Sequence, residues 1–299
     1  MEILLGKMAG FCGGVQNAVN KTYEEAKGKG EIIYCLGDLV HNPVVLSNLE
    51  KLGVKIITNL EEVPNPAGKT VIIRAHGIEK EIYEQAKKMK IELKDLTCPK
   101  VLKIHEFVEK YSENGDYIFL IGEKKHPEVI GTKSFCGENS IVIEDEEELN
   151  EAIEKLKDKI NNTEKNATKK LIVVAQTTFN LEKFKCFEGK IKKEIGNNIE
   201  IIINNTICDA TRLRQEETEK LSKEVDGMII IGGKKSSNTN KLYQISCNNC
   251  TNALMIEDEN ELELERFKKC NKIGVMAGAS TPEETINAVI DRLKAIGKN

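Results

Sequence analysis

What most limits the fold of this 299-residue chain is the steady alternation of short apolar runs with longer amphipathic stretches. Runs such as Leu171–Ala175 and Met228–Ile231 are apolar at every position. That continuity suits strands covered on both faces, because half-exposed strands alternate apolar with polar residues. Strands are expected at Glu2–Leu5, Ile32–Leu36, Lys55–Ile57, Thr70–Arg74, Tyr117–Ile121, Ser140–Ile143, Leu171–Ala175, Ile199–Ile203, Gly227–Ile231, Ala253–Ile256 and Lys272–Val275. Helical periodicity covers Val15–Lys27, Pro43–Lys51, Lys80–Lys88, Pro99–Asn114, Glu146–Lys159, Leu181–Ile195, Arg212–Glu224 and Pro282–Ile296. Strand and helix in turn predict an α/β fold with parallel sheets. The polar stretch Asp158–Lys170 reads as a surface loop, and a boundary is expected at Asn204-Asn205.

The cysteines narrow the chemistry. There are nine of them, and the opening MEILLGKMAG lacks both the basic start and the apolar core of a secretory leader. A cytoplasmic protein with reduced thiols is therefore expected, and a metal or redox site explains the count better than disulfides. No apolar run approaches the ~18 residues of a membrane span. Lys+Arg 44 against Asp+Glu 48, a net −4, gives no field to attract nucleic acid.

Cys12, Cys98 and Cys208 lie about 100 residues apart, roughly one per domain of ordinary size. Each follows a strand-like segment and precedes a helix, in Phe11-Cys12-Gly13-Gly14, Thr97-Cys98-Pro99 and Ile207-Cys208-Asp209. A helix N-terminus favours a thiolate, and three thiolates suit zinc or an iron–sulfur cluster. Three unrelated buried cysteines are the plain alternative, which the shared setting weakens. Cys247 and Cys250 read as a surface-helix pair, and Cys35, Cys136, Cys186 and Cys270 as packing residues.

His41, His76 and His126 each follow a predicted strand or precede a predicted helix, where open α/β sheets bind ligands. His105 falls inside a predicted helix and is expected to be structural. One such loop histidine would be a framework residue; three point to binding or proton chemistry. Glu128 lies two residues past His126, and the two form a candidate proton-transfer pair. A carboxylate favoured by a helix dipole is the alternative for Glu128. Gly232-Gly233-Lys234-Lys235-Ser236-Ser237-Asn238 runs from a strand into hydroxyls and amides that open a helix, a setting able to hold phosphate. Ala277–Ser280 repeats that pattern, and Thr177-Thr178 offer hydroxyls at another strand end. Ordinary helix capping is the alternative for each.

Taken in order, GFCGGV, LVHN, AHG, TCP, HPEV, QTT, TICDAT, GGKKSSNTN and AGAS span nearly the whole chain. In this series the chain resembles the 4-hydroxy-3-methylbut-2-enyl diphosphate reductases. The resemblance implies three similar α/β domains, 1–98, 99–205 and 206–299, in a pseudo-threefold trefoil around a central iron–sulfur cluster. It implies one 4Fe–4S cluster held by Cys12, Cys98 and Cys208, with one iron left open. It places His41, His76, His126, Ser236, Ser237, Asn238 and Ser280 around the substrate diphosphate, His126 and Thr177 toward the hydroxyl end, and Glu128 as proton donor. Gly13, Lys235 and Met276 depart from residues common in the family, and none is an implied ligand.

The implied reaction is reductive dehydroxylation of (E)-4-hydroxy-3-methylbut-2-enyl diphosphate to isopentenyl and dimethylallyl diphosphate, the last step of the methylerythritol phosphate route to isoprenoids. The implied electron donor is a ferredoxin or flavodoxin, with neither nucleic acid nor membrane as partner. Two rival readings remain on the residues alone. A metal-binding regulatory module explains the cysteines but not the hydroxyl loops; a non-redox phosphate hydrolase explains the loops but not the cysteines.

Overall fold

The computed structural model describes residues 1–28, 32–162 and 169–296. In chain order its elements are β1 (Glu2–Leu5), α1 (Gly13–Gly28), β2 (Ile33–Leu36), α2 (Pro43–Lys51), β3 (Val54–Ile57), β4 (Thr70–Ile73), α3 (Lys80–Lys88), β5 (Glu92–Asp95), α4 (Pro99–Glu113), β6 (Tyr117–Ile121), α5 (Pro127–Ser134) and β7 (Ser140–Ile143). There follow α6 (Glu146–Asn162), β8 (Lys170–Ala175), α7 (Leu181–Ile195), β9 (Glu200–Ile203), α8 (Asp209–Glu224), β10 (Gly227–Ile231), α9 (Ser237–Asn249), β11 (Ala253–Ile256), α10 (Leu264–Phe267), β12 (Lys272–Ala277) and α11 (Glu283–Ile296). The strands form three four-stranded sheets, ordered β11-β10-β12-β1, β3-β2-β4-β5 and β7-β6-β8-β9. The pairings within β11-β10-β12-β1 and β7-β6-β8-β9, and those of β2 with β3 and β4 with β5, are parallel. The α/β fold expected from the alternation of strand and helix is the fold adopted.

The chain forms two compact units, Met1–Asn59 with Asp209–Asn299, and Leu60–Cys208. In the first, the opening strand β1 is an edge of the sheet otherwise built from β10, β11 and β12, with Glu2 opposite Lys272. In the second, the β7-β6-β8-β9 sheet is covered on both faces. Phe119, Ile121, Val173 and Ala175 pack against α6 and α7 through Leu149, Ile153, Phe184 and Phe187. The intervening Ile118, Leu120, Ile172 and Val174 pack against α4 through Ile104 and Val108. Adjacent positions thus enter opposite cores, which is why the run is apolar throughout. Each Val, Leu, Ile or Phe side chain among them contributes about 1.5–3 kcal/mol by leaving water.

Helix α9 forms where the hydroxyls and amides after β10 are expected to open a helix, although it buries Ser237, Asn238, Thr239 and Ser246 with only Leu242 among them and its periodicity is faint. Two differences from expectation remain. Strand β5, sequence ELKD, escapes prediction because an edge strand of exposed and half-exposed residues needs no apolar run. Asp158–Asn162, read as loop, continues α6; positions 163–168 of that stretch lie outside the described residues. Among the cysteines read as packing residues, Cys35, Cys136 and Cys270 are buried, but Cys186 is exposed on α7. Among the described residues no helix is long and apolar enough to cross a membrane.

Candidate active site

Strand order explains where the chemistry lies. In each sheet one edge strand, β11, β3 or β7, leads into no candidate residue. The two inner strands lead into the polar loops: β10 to Ser236, β12 to Ser280, β2 to His41, β4 to His76, β6 to His126 and β8 to Thr177. The other edge strand, β1, β5 or β9, leads to a cysteine. Cys12, Cys98 and Cys208 each stand immediately before a helix, α1, α4 or α8. Each donates its backbone N–H to the loop after the neighbouring strand: Cys12 to the Ala279 carbonyl (3.2 Å), Cys98 to that of Ala75 (3.0 Å) and Cys208 to that of Thr177 (3.0 Å). All three are partly exposed and outside any disulfide. A partly exposed thiol with a tethered backbone at a helix start is, at each of the three positions, a donor of the kind that suits a soft metal centre, iron–sulfur or zinc.

In the second unit, Glu128 is the chemical focus. It lies in the first turn of α5 and is only 3% exposed. Its Oε1 accepts the Thr177 N–H at 2.6 Å, and its Oε2 accepts the Thr177 hydroxyl at 2.6 Å. Burial pushes its carboxyl up to about 7 against the pull of those bonds. The proton-transfer pair expected between Glu128 and His126 takes a different form. His126 is the N-cap of α5, its Nδ1 accepting the backbone N–H of Glu128 at 3.2 Å. Accepting at Nδ1 requires a lone pair there, so the neutral ring carries its proton on Nε2. The rings of His126 and His76 meet edge-on, centroids 5.4 Å apart. The loop of His76 closes through Gly77, at φ +77°, where a Cβ would come within 2.9 Å of the His105 ring. His105 is buried, stacked on Phe135, and burial lowers its pKa to about 4.

In the first unit the phosphate-type loops converge. A Cβ on Gly233 would come within 2.2 Å of the His41 carbonyl oxygen, so only glycine lets these two loops meet. The Ser280 hydroxyl lies 3.5 Å from that same oxygen. Ser236 caps α9, its Oγ accepting the Thr239 N–H at 3.3 Å. Capping is thus real here, yet it uses only the oxygen's lone pair and leaves the O–H to donate elsewhere. Next to it, Ser237 and Asn238 open α9 and are both buried. Asn238 is 3% exposed, and neither its Nδ2 nor its Oδ1 has a hydrogen-bond partner among the described residues. A buried amide unsatisfied at both ends is a site built for something else to complete.

Each unit therefore holds half of the expected set. His41, Ser236, Ser237, Asn238, Ser280 and Cys12 belong to the first, and His76, Cys98, His126, Glu128, Thr177 and Cys208 to the second. Sequence reasoning overlooked Gln176, whose Oε1 accepts the Glu123 N–H at 2.9 Å and whose Nε2 donates to the Thr178 hydroxyl at 2.8 Å. It also overlooked Arg214 and Glu217 on α8. Their partners lie more than 200 positions away in sequence, so no local pattern marks them.

The family described as "LytB protein" matches residues 3–294. A 4-hydroxy-3-methylbut-2-enyl diphosphate reductase of Thermoanaerobacter sp. (strain X514) is 41% identical over 295 residues, 98% of this chain and 97% of the relative. The structure of the E-1-hydroxy-2-methyl-but-2-enyl-4-diphosphate reductase from Plasmodium falciparum matches with TM-score 0.84 at 32% identity, covering 97% of this chain and 87% of that one. A second solved structure is of (E)-4-hydroxy-3-methyl-but-2-enyl diphosphate reductase, described as the terminal enzyme of the non-mevalonate pathway. It matches with TM-score 0.68 at 40% identity, covering 99% of this chain and 100% of that one.

Proposed function

The chain belongs to the LytB family of 4-hydroxy-3-methylbut-2-enyl diphosphate reductases, and from that premise we propose that it converts (E)-4-hydroxy-3-methylbut-2-enyl diphosphate to isopentenyl and dimethylallyl diphosphate. The hydroxyl leaves as water in a two-electron reduction. Cys12, Cys98 and Cys208 would hold one 4Fe–4S cluster. The observation that carries this is their threefold recurrence at one structural position, each before a helix and bonded to the loop of the next strand. When bound, such a cluster supplies electrons and, at the iron lacking a cysteine, a Lewis-acid position.

The remaining residues divide the work. His41, His76, Ser236, Ser237, Asn238 and Ser280 would hold the diphosphate, with Asn238 completing both ends of its amide on the ligand. His126 would donate through Nε2. Glu128, its titration raised to about 7 by burial, would in its acid form carry the proton on Oε2 and donate it to the Thr177 hydroxyl oxygen, which can pass its own proton on. Its burial keeps bulk water from competing. Electrons would come from a ferredoxin or flavodoxin in the cytoplasm. The division into 1–98, 99–205 and 206–299 belongs to the same reading, with Cys12 and Cys98 in the first part, the His126 and Thr177 loops in the second and Cys208 in the third.

Iron analysis tests it. The wild-type chain, assembled anaerobically, should carry about four irons. Cys12→Ser, Cys98→Ser and Cys208→Ser should each lose stable binding, since a hard hydroxyl replaces a soft thiolate. Cys247→Ser and Cys250→Ser should match wild type. Full iron in any of the first three removes that cysteine from the ligand set.

A further inference from the structure

The loop between β1 and Cys12 is held from outside itself. Beyond the Gly6 N–H, which bonds the Val275 carbonyl of β12 at 2.9 Å, its side-chain anchors come from α8, the helix that begins directly after Cys208. The Glu217 carboxylate accepts two successive backbone N–H groups, Lys7 at 2.7 Å and Met8 at 2.8 Å, one on each oxygen. One turn earlier on the same helix, Arg214 is 2% exposed and donates from Nη2 to the Gly10 carbonyl at 2.6 Å and from Nη1 to the Ala210 carbonyl at 2.9 Å. The spacing i, i+3 puts both side chains on one helix face. The loop accepts this grip because Gly10 takes φ +97°, where a Cβ would also meet Ile286 at 3.1 Å.

Charge makes the grip strong. A carboxylate on two amide N–H groups and a guanidinium on two carbonyls are charge-assisted contacts, roughly twice as strong as neutral ones. A planar guanidinium can bridge two carbonyls at once, which an ammonium does less well. Between this grip and the Cys12–Ala279 backbone bond lies a single residue, Phe11. One rigid element thus starts at one thiol and fixes the approach to another.

We propose that Arg214 and Glu217 form a clamp that positions the Cys12 loop and thereby governs how long a bound cluster is retained. They are positioning residues: neither is a ligand, and both act through the backbone of residues 7–10. The inference rests on the cluster reading given above, and it adds a determinant of cluster lifetime that the three cysteines alone do not supply. With the clamp intact, Cys12 stays within reach after a transient opening and recaptures its iron. With the clamp cut, the loop samples more positions and iron escapes.

The test uses the full chain, with Glu217→Gln, Arg214→Met and Arg214→Lys, and with Arg212→Ala as control. Arg212, half-exposed on α8, pairs with Glu216 and Asp209 of its own helix. Two readouts are taken: hydrogen exchange at the Lys7 and Met8 amides in metal-free protein, and the rate of iron loss to a chelator from anaerobically loaded protein. Glu217→Gln and Arg214→Met should each speed iron loss on the order of tenfold or more, the range for losing a charge-assisted hydrogen bond. In Glu217→Gln the two amides should exchange faster while the β12 core does not. Arg214→Lys should restore part of the retention, and Arg212→Ala should match wild type. Wild-type iron retention in both Glu217→Gln and Arg214→Met overturns the proposal. So does faster exchange spread evenly through the unit, which would mark a general loss of stability. A wild-type chain that takes up no iron sinks the cluster reading instead, and amide exchange, measured without metal, tells that failure apart.

Discussion

Thr177 holds both carboxylate oxygens of Glu128, Oε1 through its backbone N–H and Oε2 through its hydroxyl, each at 2.6 Å. The acid is therefore aimed by a strand-end loop on β8 and not by His126, two residues before it in sequence. The backbone bond fixes the carboxyl, and on the function proposed above the hydroxyl would give its proton an exit.

Glu128→Gln should keep the fold, the cluster and near-normal substrate binding while turnover falls by roughly 10²–10⁴. On the function proposed above the working form is the protonated carboxyl, and burial raises its titration to about 7. Wild-type turnover should thus be level on the acid side and decline as pH rises through about 7. A pH profile of kcat at matched iron content checks this. The glutamine variant should lose that alkaline decline together with its rate. A decline of unchanged shape in the variant would assign it to another group.

Thr177→Val separates the two bonds. The backbone N–H still holds Oε1, so the carboxyl stays aimed while the hydroxyl route disappears. Turnover should fall with little change in KM, by less than in Glu128→Gln. Equal rates in Thr177→Val and wild type would mean that the proton leaves Glu128 directly.

Asn238→Leu offers an unusual pair of outcomes. Leaving a buried amide unsatisfied costs roughly 1–3 kcal/mol, so an apolar side chain of similar size should leave the ligand-free protein equally or more stable. Substrate affinity should fall about 10- to 150-fold, the range for a charge-assisted contact. Thermal unfolding and substrate titration together check this. Lost stability with intact affinity would make Asn238 a framework residue.

His105→Phe tests the imidazole behind the His76 loop. Its pKa, lowered to about 4 by burial, means that the unfolded chain binds a proton that the folded chain refuses. Stability tied to this group is full above pH 6.5 and is lost as pH falls through 4, a swing of about 3 kcal/mol. Urea denaturation of metal-free protein should show a steeper acid loss in wild type than in His105→Phe. Parallel curves would show that the ring is protonated at little cost.

How far the sequence discloses all this depends on where each determinant sits. Residues Ile118–Ile121 announce a doubly covered strand because both neighbours of every side chain are core. Strand β5 announces nothing, since its place is set by β4 beside it and not by its own four residues. Among the candidate site residues, Cys12, Cys98, Cys208 and the loop histidines stand out in the sequence because glycine, proline and strand ends flank them. The partner of Glu128 is not legible: Thr177 lies 49 positions away and meets it only because β6 and β8 are neighbours. Arg214 and Glu217 are hidden for the same reason, their contacts being made by a loop at the other end of the chain.

The central claim is a cluster-dependent reduction of an allylic diphosphate. Its most direct test is anaerobic turnover of (E)-4-hydroxy-3-methylbut-2-enyl diphosphate by the iron-loaded wild-type chain with a one-electron reductant. Products are resolved and counted against electrons consumed. The account predicts isopentenyl and dimethylallyl diphosphate, two electrons per product and none without iron. Release of diphosphate, or product formed without iron or reductant, would contradict it.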